Sequence, residues 1–365
     1  MIDKILLAPY WWSLKLRHCL YDHGVRKVHK SSVPTVCIGN ITVGGTGKTP
    51  HTEMLLRILA GHSAWSSKRI AVLSRGYRRK SKGFQAVSIS GTTAQYGDEP
   101  LQIKRKFPET IVAVDRNRVE GCRILGGEAI PDDQGTKGGN MAGQTATKSA
   151  DLIILDDAFQ YRALKADLDI VLMDYNRPVY KDHLLPLGRL RDLPERISRA
   201  DIVIVTKCPS YLDEWERGII TESLGFKGNV FFTTVGYETP GPVFPEGDRR
   251  YIHSQWLILV TGIANPVPMT RYLSDSYKIV RHLAFGDHHR FSGSDIRQII
   301  RAAEKYPAAV IVTTEKDSQR LLDMDDLPGI IRERLFKLPI RADFLTEKDA
   351  SGFMAAFDRH ISAAR

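Results

Sequence analysis

Cysteine is scarce in this chain: of 365 residues only Cys19, Cys37, Cys122 and Cys208 carry a thiol, and none stands at CxxC or other metal-ligand spacing. That excludes a disulfide-stapled scaffold, and ordinary reduced thiols point to a cytoplasmic compartment. Long apolar runs are missing from the first thirty residues. The longest uncharged stretch there, Ile5 to Leu14, is too short to cross a bilayer and contains Pro9. No small-residue cleavage site follows, so a signal peptide fits poorly. Acidic residues are in deficit, 42 against 52 Lys and Arg, and the net charge of +10 calls for a polyanionic partner. Nucleic acid, anionic lipid and a phosphorylated substrate all qualify. No RNA-binding signature or helix-turn-helix pattern accompanies the charge, which disfavours nucleic acid, and there is no internal repeat.

What is present is globular: 42% hydrophobic and 26% charged residues, in a length that accommodates two domains. Short apolar runs alternate with helical patterns, the signature of a parallel sheet covered on both faces. Strands are expected at Val33–Ile38, Ile70–Ser74, Thr110–Val114, Leu152–Leu155, Ile170–Met173 and Ile202–Val205. A second group follows the turn signal Gly228-Asn229, at Val230–Thr234, Gln255–Val260, Tyr277–His282 and Ala309–Thr313. The expected fold class is α/β: a P-loop NTPase-like α/β/α sandwich and a second, smaller α/β domain, joined by a short β linker. The boundaries this implies are a membrane-associating segment over 1–30, the main domain over 31–232, the linker over 233–256 and the smaller domain over 257–365. Residues 126–150, rich in Gly, Ala, Thr and Asp without periodicity, read as a mobile surface insertion.

The segment 1–30 interleaves Trp11, Trp12, Leu14 and Leu16 with Lys4, Lys15, Arg17 and His18. Paired indoles beside cations suit the headgroup boundary of an anionic membrane, and a helix packed on the protein's own core is the competing expectation.

Between an apolar strand and the periodic run Glu53 to Leu59 lies Thr42-Val43-Gly44-Gly45-Thr46-Gly47-Lys48-Thr49. Strand, glycine-rich turn and helix in that order form a cradle for a nucleoside triphosphate. The glycines let backbone N–H groups point inward, Lys48 reaches the outer phosphates and the Thr49 hydroxyl can bind Mg2+. Thr42 replaces the usual first glycine of this pattern. Downstream, the apolar strand Leu152 to Leu155 ends in Asp156-Asp157, which puts carboxylates beside the loop, where they can hold magnesium or its waters. Gly97-Asp98-Glu99-Pro100 opens a helix. A P-loop supplies no base for an attacking hydroxyl, so Asp98 is a candidate for that work. In Phe285-Gly286-Asp287-His288-His289-Arg290-Phe291, adjacent histidines make a weak metal pair, whereas one histidine with a neighbouring acid could join a proton relay.

These pieces, in this order, resemble the tetraacyldisaccharide 4'-kinase family. The similarity runs through Gly39-Asn40 and the loop to Pro50, Ser74-Arg75-Gly76-Tyr77, Gly97 to Pro100, Asp115-Arg116, Asp156-Asp157 with Phe159-Gln160, and Leu185 to Arg191. It continues in Thr206-Lys207-Cys208-Pro209, Gly262 to Pro266 and Phe285 to Phe291, so it covers almost the whole chain. The resemblance implies ATP and Mg2+ as cofactors and phosphorylation of the 4'-hydroxyl of an acylated disaccharide 1-phosphate lipid, giving lipid IVA at the cytoplasmic face of the inner membrane. It also implies roles. Asp98 is the general base with His288 tuning it, and Lys48 neutralises the transferring group. Thr49, Asp156 and Asp157 handle magnesium, Glu99 supports the metal shell, and Arg75, Arg78, Arg116 and Arg191 are partners for the substrate phosphate. Three positions depart from the family pattern: Ala158 stands for glycine, Tyr161 for histidine and Asp192 for glutamate. A monomer with a cleft between its domains is expected. The rival readings are a nucleotide-hydrolysing regulatory switch and a basic ATPase acting on nucleic acid.

Overall fold

The computed structural model describes residues 2–128, 149–324 and 326–363. Over 129–148, the insertion expected at 126–150 lies outside the described residues. In chain order the elements begin with α1 (Ile2–Asp22), β1 (Thr35–Gly39), α2 (Lys48–Gly61), β2 (Ile70–Ser74), β3 (Gln85–Ala86), α3 (Thr93–Tyr96), α4 (Asp98–Lys106), β4 (Ile111–Val114) and α5 (Arg118–Leu125). Next come β5 (Leu152–Asp156), β6 (Leu168–Asp174), β7 (Ile202–Thr206), α6 (Glu214–Leu224), β8 (Asn229–Tyr237), β9 (Gly241–Pro242), β10 (Trp256–Thr261), α7 (Val267–Ser274) and β11 (Lys278–Ala284). The chain ends with α8 (Gly293–Lys305), β12 (Val310–Thr314), α9 (Glu315–Leu322), α10 (Gly329–Arg332), β13 (Leu335–Leu338), β14 (Ile340–Phe344) and α11 (Glu347–Ala363).

Among the described residues, nine strands form one sheet in the order β14-β8-β7-β6-β1-β5-β2-β4-β3. Its interior is parallel, and both edges, β14 and β3, run antiparallel to their neighbours. Strands buried on both faces favour apolar residues on both, which is why β1, β5 and β7 read as near-continuous hydrophobic runs broken only at their ends. On one face Cys37, Ile153 and Val203 pack with Leu14 of α1 and Leu125 of α5. On the other, Val36, Ile154 and Ile204 pack with Leu55 and Leu59 of α2, Leu101 of α4 and Phe357 of α11. The three-layer α/β/α sandwich expected from the alternation is therefore present.

A second sheet, ordered β11-β10-β12-β13-β9, is parallel except at β9. Ile296 and Ile299 of α8 and Ile331 of α10 cover one face, and Met269 and Leu273 of α7 cover the other. One expectation needs correcting. Residues 257–365 do not all belong to the smaller unit, because β14 pairs with the second half of β8, from Ile340↔Tyr237 to Phe344↔Thr233. α11 then buries Phe353 and Phe357 in the core of the nine-stranded sheet. Its aromatics leave water only there, and removing a buried phenyl of this kind costs about 3–5 kcal/mol.

α1 meets the competing expectation, a helix packed on the protein's own core. Leu7, Tyr10, Trp11 and Leu14 pack on the core at helical spacing, while Trp12 and Leu16 on the opposite side are 65% and 60% exposed. Among the described residues, no helix is long and apolar enough to cross a membrane.

Candidate active site

The glycine-rich loop leaves the central strand β1 at Gly39. A Cβ there would stand 2.6 Å from Cβ of Phe159, so only glycine lets the turn after β5 close on it. The buried Asn40 then donates from Nδ2 to Thr46 Oγ1 at 2.7 Å, tying the loop's two ends together. Gly47, with φ +88°, precedes α2 without a side-chain cap, which leaves the first N–H groups of that helix for an anion. Thr42 and Thr46 are buried, whereas Val43, Gly44 and Gly45 line the exposed rim. From behind, His51 donates from Nδ1 to the Gly47 carbonyl at 2.7 Å, and its Nε2 lies 2.8 Å from Thr233 Oγ1. Burial pushes this imidazole down to about 4, so it is a neutral brace.

The loop has a brace that the sequence reading did not assign. Lys207, just past β7, donates to the Gly45 carbonyl and to Asp174 Oδ2, the latter at 2.6 Å, while Thr206 Oγ1 donates to the Thr46 carbonyl at 3.0 Å. The motif Thr206-Lys207-Cys208-Pro209 was the available signal.

Asp156 ends β5 and Asp157 follows it. Asp156 is 2% exposed, and burial, reinforced by the charges of Glu99 and Asp157, pushes its carboxyl up to about 7. Its Oδ1 is buried with no hydrogen-bond partner. An orphaned carboxylate oxygen repelled by two like charges fits a divalent cation. Among the described residues no three His, Cys, Asp or Glu side chains form a ready-made cage, but Mg2+ at a phosphate site usually takes only one or two carboxylates. Asp157 takes a left-handed backbone, φ +52°. Burial works to raise its carboxyl, yet Lys48, 3.8 Å away, and Arg191 outweigh that and hold it low. Arg191 grips both Asp157 oxygens and Asn40, so it is engaged at the loop and not free for a substrate phosphate. Arg75, Arg78 and Arg116 are exposed.

Asp98 heads α4 after Gly97, whose φ of +92° lets the chain turn from α3 into α4. The structure brings it to His288, which comes from the loop after β11: Nδ1 stands 3.6 Å from Asp98 Oδ2, just beyond a hydrogen bond. The ring is set edge-on to Tyr77, with centroids 5.4 Å apart. Two cations of α9 were missed in the sequence. Arg320 hydrogen-bonds Asp98 and pairs with Asp317 at 2.7 Å, and Lys316 lies 4.0 Å from Asp98 and 2.9 Å from Glu99. Burial raises the Asp98 carboxyl, but the His288 ring beside it and the charges of Lys316 and Arg320, the last also hydrogen-bonded to it, override this and hold the group well below the usual carboxylate range. Glu99 pairs with Lys316 while its charge is felt at Asp156. His289 is occupied elsewhere, bonded to Asp295 at 2.9 Å and stacked on Phe285.

The arrangement thus joins an anion cradle, a lysine, a cation-seeking carboxylate and a buried carboxylate with a histidine beside it. Comparison with known proteins gives the same direction. The family described as tetraacyldisaccharide-1-P 4'-kinase matches residues 4–361. A tetraacyldisaccharide 4'-kinase from Phocaeicola vulgatus is 38% identical over 358 residues, covering 95% of this chain and 92% of its own. One from Parabacteroides distasonis is 37% identical, covering 98% and 94%. The crystal structure of LpxK from Aquifex aeolicus in complex with ATP superposes with a TM-score of 0.71 at 24% identity, covering 99% of this chain and 100% of that one. With the family matched from end to end and the fold shared, the chain belongs to the tetraacyldisaccharide 4'-kinase family.

Proposed function

We propose that this site transfers the γ-phosphoryl group of ATP to the 4'-hydroxyl of tetraacyldisaccharide 1-phosphate, giving lipid IVA, with the residue roles that follow. Membership of the family makes the chain a kinase of lipid A biosynthesis. The observation that carries the roles is the meeting of Asp98 with His288 across the two sheets. The loop Thr42–Gly47 and the start of α2 hold the triphosphate, and Lys48 draws charge from the transferring group. Thr49 and Asp156, with Asp157 and Glu99 near by, would hold Mg2+, which supplies charge neutralisation on the phosphates. Asp98, kept ionised by Arg320 and Lys316, accepts the hydroxyl proton, and His288 receives it next. A weak base suffices, because bonding to the nucleophile is slight in a loose phosphoryl-transfer transition state.

The exposed Trp12 and Leu16, beside the exposed Lys15, support peripheral contact with an anionic membrane, where a four-chain lipid resides. The inner membrane's cytoplasmic face, where ATP is available, is the location this reading assigns. Incubation with γ-labelled ATP and the disaccharide monophosphate in detergent micelles, followed by thin-layer separation, tests the function. Label should move to the lipid; label found only in inorganic phosphate would favour the hydrolytic switch instead.

A further inference from the structure

Between α1 and the phosphate loop runs a chain of polar contacts that membrane anchoring does not require. Tyr10 Oη donates to the Arg191 carbonyl at 3.0 Å. One helical face further on, His18 Nε2 meets Asp192 Oδ1 at 2.6 Å, with His18 5% and Asp192 2% exposed. The direction of that bond follows from the other ring nitrogen. Arg162 Nη1, which can only donate, lies 2.9 Å from His18 Nδ1, so Nδ1 accepts and Nε2–H donates to Asp192. Arg17 adds a bond from Nη2 to the Gln160 carbonyl at 2.6 Å.

The two loops held this way are the ones that touch the site. Gln160 Nε2 donates to the Asn40 carbonyl at 2.6 Å. Arg191 donates its backbone N–H to Ile41 at 2.9 Å and its guanidinium to Asn40 and to both oxygens of Asp157. Arg191 is therefore fixed at its amide by the loop, at its carbonyl by Tyr10 and, one residue on, by His18 through Asp192. Phosphoryl transfer needs its groups held to within about 0.5 Å, and directional bonds at three points supply that where apolar packing alone would let the helix slide.

We propose that the inner face of α1 is part of the phosphate site's support: Tyr10 and His18 are positioning residues that set Arg191, and through it Asp157 and Asn40. This rests on the reading of Asp157 and the loop as the phosphate and magnesium site. The helix then has two separable faces. Trp12 and Leu16 meet the bilayer, and Tyr10 and His18 hold the chemistry.

The test uses full-length variants, substrate in detergent micelles for kinetics and phosphatidylethanolamine–phosphatidylglycerol vesicles for sedimentation. His18→Ala should lower kcat about tenfold or more, leave KM for the lipid and vesicle sedimentation near wild type, and raise the magnesium concentration needed for half-maximal ATP binding measured by calorimetry. Tyr10→Phe, which removes one bond and no bulk, should act in the same direction more weakly. His18→Gln, whose amide still donates to Asp192, should recover most of the rate. Trp12→Ser with Leu16→Ser should show the converse, lost sedimentation with kcat in micelles retained. Wild-type kcat and magnesium dependence in His18→Ala would overturn the proposal, as would a rate that falls only with the folded fraction seen by circular dichroism and is not rescued by glutamine. Retained sedimentation in the double serine variant would overturn the membrane reading alone, and wild-type turnover in Asp157→Asn would remove the premise about the site.

Discussion

Two aspartates reach the site from different elements, Asp156 at the end of β5 and Asp98 at the head of α4, and both are at most 7% exposed. Burial pushes each carboxyl upward, by the same physics. Their neighbours then separate them. Asp156 has Glu99 and Asp157 close by and one oxygen without a partner, and it rises to about 7. Asp98 has Arg320, Lys316 and His288, and it ends low. An acid that dislikes its own charge is where a cation is wanted, whereas an acid pinned in its charged form is present as a base, a weak one, even at low pH. On the proposed roles, one residue type does two kinds of work, set by which charges surround it.

The largest effect that could break this contrast is on turnover. Asp98→Ala should lower kcat by roughly 10²–10⁴-fold, the range for loss of a positioned base, with ATP affinity unchanged in equilibrium binding. If turnover survives, Asp98 is a structural ion-pair partner and nothing more. Asp156→Asn probes the other side through stability. A carboxyl near 3.8 unfolded and about 7 folded binds more protons in the folded chain between those values, so its contribution to stability falls as pH rises from about 4 to about 7. At about 1.4 kcal/mol per pH unit, this penalty is capped at about 4 kcal/mol above pH 7. The asparagine variant of the nucleotide-free protein should therefore melt higher than wild type at pH 8 and level with it near pH 4. An equal difference at both pH values would rule out the raised carboxyl. The smallest effect sharpens the role of α9. Lys316→Met removes one cation from Asp98, so the carboxyl should rise and the acid limb of the kcat–pH profile should shift upward by about one pH unit or less. An unmoved limb would mean that Arg320 alone sets Asp98.

The sequence displayed one half of this contrast far better than the other. The phosphate loop and the aspartates at the end of β5 are contiguous motifs on the turns that leave two neighbouring strands of the sheet, and local chemistry identifies them. Most strands were legible to within two residues because a sheet buried on both faces leaves uninterrupted apolar runs. β13, β14 and α11 were not, since nothing local says that the chain returns from the second sheet to pair with β8. Lys316 and Arg320 were also missed. Thr314-Glu315-Lys316-Asp317-Ser318-Gln319-Arg320 reads as an ordinary capped, charged helix start, yet Glu315, Asp317, Ser318, Gln319 and Arg320 are all buried against α4 and its surroundings. The same holds for Asp192, whose departure from glutamate was noted but whose partner, His18, lies 174 residues away.

The most direct measurement is a carbon-13 NMR titration of the aspartate carboxyls in the nucleotide-free protein, with signals assigned by their loss in Asp98→Asn and Asp156→Asn. The Asp156 signal should titrate near neutrality, while the Asp98 signal should stay that of a carboxylate down to the acid limit of the folded state. Both carboxyls titrating together in the ordinary range near 3.8 would contradict this separation.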